Sequence, residues 1–244
     1  MIGLSSTQGG SSSSSSKTHF SGPINEQQQK MNELITKWEE MTFDDSQLSS
    51  LIESIESTDL EKQYYGIVGL RKVLCDKKKP PIDQVLDSGI ISRLIEIMGT
   101  STELKIQFEA AWSLTNLCSG TSEQAKQVID CGVVPGFLTA LKSANPELIE
   151  QSVWGLGNIA GDSTEFRDLV IKEGGIDEIV NVLENASEQS LKRNGAWALA
   201  NCCRGKPQPP SHLTSRAAPI FCKFLKSEND TEILTDAAWG LLWN

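Results

Sequence analysis

Four tryptophans set a ruler along this chain. Trp112, Trp154, Trp197 and Trp239 are separated by 42, 43 and 42 residues. Three glycines, Gly89, Gly132 and Gly175, keep the same period, at 43 and 43 residues. Two independent marks with one period mean internal repetition. Each unit then buries its faces against its neighbours, and the chain grows as an array instead of closing around one centre.

The grammar of a unit can be read from one copy. "SEQAKQVIDCG" is a short helix closed by Gly132, which accepts a left-handed cap. "VVPGFLTALKS" is a second helix, with Pro135 allowed in its first turn. "NPELIEQSVWGLGNIAGD" opens on an Asn-Pro start signal and forms a longer third helix. The next copy keeps the order: "TEFRDLVIKEGG", "IDEIVNVLENA", "SEQSLKRNGAWALANCC". A period of about 40–47 residues belongs to HEAT and armadillo arrays, and three helices per unit favour armadillo. No run alternates as a strand would. The expectation is an all-α, right-handed armadillo-repeat solenoid of about four to five repeats over residues 43–244. Its first unit, "LEKQYYGIVGLRKVL", is degenerate, and its last stops inside a third helix at "DAAWGLLWN", as a truncated repeat would. Residues 26–42 form a polar helical lead-in, with Met31, Leu34, Ile35 and Trp38 at helical spacing. Residues 1–25, rich in Ser and Gly, bury too little to offset ordering entropy and are expected to be disordered.

Composition narrows the partners. The net charge is −10, from 32 acidic and 22 basic residues. That argues against general nucleic-acid binding and permits a basic partner. The six cysteines form no C-x-x-C pair and read as reduced thiols. His19 and His212 stand far apart, in no metal-ligand spacing, so no metal or cofactor is expected. There is no apolar secretory core at the N-terminus and no run of membrane-spanning length. Cytoplasm and nucleus are the natural compartments. No Ser/His/Asp set, Walker loop or dinucleotide fingerprint is present, so the chain does not read as an enzyme.

The third helices carry the chemistry. Three residues before each Trp stand Glu109, Gln151, Asn194 and Asp236, and four residues after stand Asn116, Asn158, Asn201 and Trp243. Positions −3, 0 and +4 share one helical stripe. Repeated Trp and Asn could form a core. Burying every amide, however, would cost about 1–3 kcal/mol for each bond left unmade. An exposed stripe avoids that cost, with Gly155, Gly157, Gly195 and Gly240 expected to keep the surface open. Third helices stacked about 10 Å apart would meet an extended chain, rising about 3.3 Å per residue, at every third residue. Asn offers a donor and an acceptor to the guest main chain. Slots between indoles suit lysine stems, with ammonium groups near carboxylates such as Asp162, Glu109 and Asp236. The pattern points to a basic, extended peptide.

"QFEAAWSLTNLCSGTSEQ", "EQSVWGLGNIAGDSTEFRDLVI", "KRNGAWALANCCRGKPQPP" and "KKKPPIDQVLDSGII" closely resemble importin α, the armadillo adaptor for nuclear import signals. The resemblance covers residues 43–244 and implies a concave groove for lysine- and arginine-rich localisation signals. It places the Trp–Asn array on Trp112 with Asn116, Trp154 with Asn158, and Trp197 with Asn201. It places the main lysine pocket on Asp162 with the Gly120 carbonyl, and further groove positions on Gln151, Asn194, Arg204, Asp236 and Trp239. Ala125 stands where the family commonly has threonine, and Trp243 where it has tyrosine. The basic segment by which the family recruits importin β is not seen: residues 1–42 hold only Lys17, Lys30 and Lys37. Recruitment of importin β is therefore left open. The competing reading is an armadillo scaffold that holds a folded partner on its outer faces.

Overall fold

The computed structural model describes residues 26–75 and 79–243, with side chains from residue 32 onward. The Ser/Gly-rich stretch expected to be disordered, residues 1–25, lies outside the described residues, as does His19. Among the described residues there are helices and turns and no strand.

α1 (Glu26–Glu40) comes first, and a single 3-10 turn (Asp45–Gln47) leads into α2 (Leu48–Glu56) and α3 (Leu60–Cys75). Four triplets follow. They are α4 (Ile82–Asp87), α5 (Ile91–Thr100) and α6 (Leu104–Cys118); α7 (Ser122–Asp130), α8 (Val133–Ala140) and α9 (Pro146–Asp162). Then come α10 (Thr164–Lys172), α11 (Gly175–Glu184) and α12 (Gln189–Cys203); and α13 (Ser211–Thr214), α14 (Ala217–Ser227) and α15 (Thr231–Trp243). Four three-helix units thus follow the lead-in helix α1 and the α2–α3 pair. The third helices pack in series: α3 on α6, α6 on α9, α9 on α12, α12 on α15. Second helices make a parallel row through α2–α5, α5–α8 and α11–α14 contacts. This is the quasi-one-dimensional packing of an all-α armadillo solenoid.

Local chemistry sets the joints. Thr121 opens α7 with a reciprocal cap: its Oγ1 accepts from the Gln124 N–H at 3.3 Å, and its own N–H donates to Gln124 Oε1 at 2.9 Å. The Gln124 side chain also donates to Asp83 Oδ1 at 2.7 Å, tying this unit to the one before. Asn145 works the same way at α9. Its Oδ1 caps the Glu147 N–H at 3.2 Å, and its Nδ2 reaches the Leu104 carbonyl of the previous third helix at 3.1 Å. Pro146 follows in the first turn, where its missing N–H costs nothing.

Gly89 and Gly132 take the left-handed conformation between the first and second helices of their units (φ +75° and +92°). In the third unit that conformation belongs to Gly174 (φ +89°), and the periodic Gly175 is buried inside α11. "EGG" offers two adjacent glycines, and the first of them takes the left-handed turn while the second opens α11.

A continuous apolar core runs between the rows, from Trp38 at one end to Phe221, Phe224 and Ile233 at the other. Each fully buried aliphatic or aromatic side chain contributes about 1.5–3 kcal/mol. Three of the four glycines expected to open the surface serve this core instead. A Cβ on Gly155 would lie 2.5 Å from the Phe137 ring, one on Gly195 2.5 Å from Leu183, and one on Gly240 2.3 Å from the Phe221 ring. They let second helices approach the backs of third helices. None of the six cysteines is in a disulfide; Cys118, Cys202 and Cys203 are buried, while Cys75, Cys131 and Cys222 are exposed. Burial pushes the Cys118 and Cys203 thiols up to about 12, so these two stay protonated near neutral pH. Among the described residues no helix is long and apolar enough to cross a membrane.

Candidate functional site: the third-helix stripe

Trp112, Trp154, Trp197 and Trp239 stand on α6, α9, α12 and α15, one to a unit. Their surroundings differ along the array. Trp154 and Trp239 are 42% and 54% exposed, large indoles left facing solvent. Trp197 is half-buried, and its ring lies over the preceding third helix at Gly157, where a Cβ would come within 2.3 Å of it. Gly157 is thus the seat of an indole from the next unit. Trp112 is also half-buried, edge-on to Phe108 with ring centres 5.4 Å apart. The Arg71 guanidinium lies 4.5 Å from its ring centre.

The asparagines are unequal as well. Asn158 is half-buried and bonds no described residue through its side chain. Asn116 is half-buried, and its Nδ2 donates to the Cys75 Sγ at 3.0 Å. Asn201 is only 2% exposed, and its Nδ2 donates to the Gly157 carbonyl at 3.0 Å, so this amide ties α12 to α9. At the −3 positions, Glu109 and Gln151 are buried, whereas Asn194 and Asp236 are half-buried. Asn194 donates to Glu150 Oε1 at 3.0 Å, and the Gln151 Nε2 is buried with no partner among the described residues. The expectation of a uniformly open stripe is therefore corrected. Inter-helix bonds claim Asn201, and an ion pair claims Glu109.

The open part lies toward α15. A cleft of about 400 Å³ between α12 and α15 is walled by Arg193, Asn194, Trp197, Glu232 and Asp236, with the Arg193 guanidinium 3.8 Å from Glu232. Burial pushes the Asp236 carboxyl up to about 6, the neighbouring Glu232 charge adds to that, and Arg204 opposes it. A second cleft, about 350 Å³, sits at the C-terminal ends of the third helices and is lined by Gly161, Asp162, Arg204 and Trp243. Asp162, exposed at the end of α9, accepts one bond, from Ser122 Oγ at 3.0 Å. Its other oxygen faces no described donor. Gly120 lies two residues before Ser122, and a Cβ there would stand 2.5 Å from the capping Gln124 Oε1. Arg204 is exposed just past α12; its carbonyl accepts from the buried Arg167 at 2.8 Å, which fixes the backbone of this turn. Ala125 is fully buried, and Trp243 is half-buried against the core.

The sequence reading missed one feature altogether. Arg71 on α3 is ion-paired to Glu109, and its Nη2 donates to both carboxylate oxygens of Glu39 on α1, at 2.8 and 2.9 Å. The signal available was a lone arginine in the apolar run "GIVGLRKVL". It sits in the degenerate unit, outside the 42–43-residue pattern of Trp and Gly.

A family model described as the Armadillo/beta-catenin-like repeat matches residues 78–119 and 121–161. With the packing above, that defines an armadillo-repeat protein. Among curated proteins, the chain is 41% identical over 194 residues to importin subunit alpha-2 of Arabidopsis thaliana, covering 80% of this chain and 36% of that one. It is 42% identical to importin subunit alpha-1a of Oryza sativa subsp. japonica, with 80% and 37% covered. It is 33% identical over 229 residues to probable importin subunit alpha-A of Dictyostelium discoideum, with 87% and 42% covered. The chain is similar to importin α over 80% of its own length and spans about a third of the length of those relatives. Among solved structures, an engineered protein superposes with a TM-score of 0.72 at 26% identity, covering 81% of this chain and 78% of that one. A designed armadillo repeat protein, solved in complex with the peptide (KR)4, gives 0.71 at 20% identity, with 92% and 96% covered.

Proposed function

We propose that this chain binds lysine- and arginine-rich nuclear localisation signals along its third-helix stripe, as the cargo-binding part of a nuclear import adaptor working between cytoplasm and nucleus. The observation that carries the reading is the pair of open indoles on α9 and α15 with acidic side chains beside the stripe. Trp154 and Trp239 face solvent, Asp236 and Glu232 line the slot beside Trp197, and Asp162 keeps a carboxylate oxygen to spare. A lysine stem lies against indole faces, while its ammonium group finds a carboxylate within reach. Asn158, with its side-chain amide unspent, is suited to bond a guest backbone and hold it in register. Importin α relatives at about 40% identity support the same role. No catalytic step belongs to this reading.

The test is a titration of a lysine-rich peptide followed by tryptophan fluorescence. Saturable quenching at micromolar affinity or better is expected, weakened at least tenfold by Asp162→Lys. A flat titration, or one indifferent to that substitution, would return the chain to the class of scaffolds that work through their outer faces.

A further inference from the structure

The first position of the stripe already holds a cation. Arg71 is nearly buried, stacks 4.5 Å from the Trp112 ring, and bonds Glu109, the acceptor three residues before that Trp. Indole, acidic −3 partner and cationic stem are the parts a guest lysine would use beside Trp239 and Asp236. Here the chain supplies the cation itself.

α1 locks this arrangement. It packs on α3, and its Asn32, Ile35 and Thr36 border a cleft with Tyr64 of α3 and Ile106 of α6. Trp38 is buried against Tyr64, with ring centres 5.5 Å apart. Lys72 clasps the end of α1 through the carbonyls of Glu39 and of Met41, the latter at 2.9 Å. Glu39 then completes the charge balance of Arg71 with two bonds. A guanidinium held by two carboxylates and a ring is expensive to displace, because each buried charge left behind would lack its partner.

We infer that Arg71, clamped by Glu39 and Glu109, acts as an internal guest that closes the peptide-binding stripe at α6 and sets how many cationic side chains a bound peptide can seat. Arg71 is a specificity-determining residue: it fixes the end of the register. The inference rests on the peptide-binding reading above, and its test separates the two.

The probe is a five-lysine peptide, compared with the same peptide lengthened by Ala-Lys at its N-terminus or by Lys preceded by Ala at its C-terminus. With the unaltered protein, the extension directed toward α3 changes affinity by less than about twofold. With Arg71→Ala, the vacated slot keeps Glu109, Glu39 and Trp112, and the same extension gains about tenfold, the size of one good cation–indole contact. Arg71→Ala leaves a buried carboxylate without its partner, so Arg71→Ala/Glu109→Gln is run beside it; the slot is then empty and less charged, and a gain of about threefold is expected. Equal gains in altered and unaltered proteins, or no gain in either variant, would overturn the inference while leaving the groove in place. Failure of the five-lysine peptide to bind any of the proteins would overturn the peptide-binding reading itself.

Discussion

The two ends of the stripe use the same residue types to opposite ends. At α6, the acidic −3 residue is 2% exposed and spent on Arg71, and the indole is stacked from within. At α15, the acidic −3 residue borders an open cleft, and the indole is 54% exposed. One end is a finished structural contact and the other an unfinished one. A periodic pattern therefore marks positions that can bind. Whether they do depends on what neighbouring elements have already delivered to them, and only the first unit has an α1 lying over it.

The largest effect expected from this contrast is on stability. Arg71→Ala strands a buried Glu109 and should cost about 3–5 kcal/mol in chemical denaturation, whereas Asp236→Ala should cost less than about 1 kcal/mol. Burial already raises the Glu109 carboxyl above its ordinary range, with Arg71 working against that shift, so losing Arg71 drives it toward the neutral form. Glu109→Gln in the same background should recover part of the loss.

Next come the indoles. Trp154→Ala should weaken a lysine-rich peptide by about 1–2 kcal/mol, roughly five- to thirtyfold, with little change in stability. Trp112→Ala should do the reverse and lower the unfolding midpoint, since its ring covers a guanidinium. Equal losses of affinity from the two would erase the distinction between the ends.

The asparagines sharpen it further. Asn158→Ala should lose about 0.5–1.5 kcal/mol of peptide affinity and leave the melting temperature alone. Asn201→Ala should lose a similar amount of folding stability, because its amide holds the Gly157 carbonyl.

The smallest effect is that of pH. In the folded chain Asp236 ionises near pH 6, against an ordinary value of 3.8, so its burial cost is fully present above about pH 6 and disappears below 3.8. A guest cation is held more tightly by the ionised form, one contact among several along the stripe. Affinity measured by titration should therefore rise about three- to fivefold between pH 5 and pH 7, and Asp236→Asn should flatten the profile.

Much of this was legible in the sequence because it is local and repeated. The 42–43-residue ruler located the helices, and Asn145-Pro146 announced the start of α9. The stripe itself came from helical spacing. What escaped was non-local. Gly155, Gly195 and Gly240 sit on third helices, but the residues that need their smallness are Phe137, Leu183 and Phe221 on second helices. The fate of Asn201 depends on how closely α12 approaches Gly157. Arg71 draws its partners from 32 residues upstream and 38 downstream, and no period connects them.

The most direct test of the account is a nuclear magnetic resonance titration that follows the six indole N–H signals of the chain, assigned by single Trp→Phe replacements, as a lysine-rich peptide is added. The indoles of Trp154, Trp197 and Trp239 should move together along one saturable curve, and that of Trp38, which α1 buries against Tyr64, should stay where it is. Uniform small drifts across all six, or a response confined to Trp38, would contradict it.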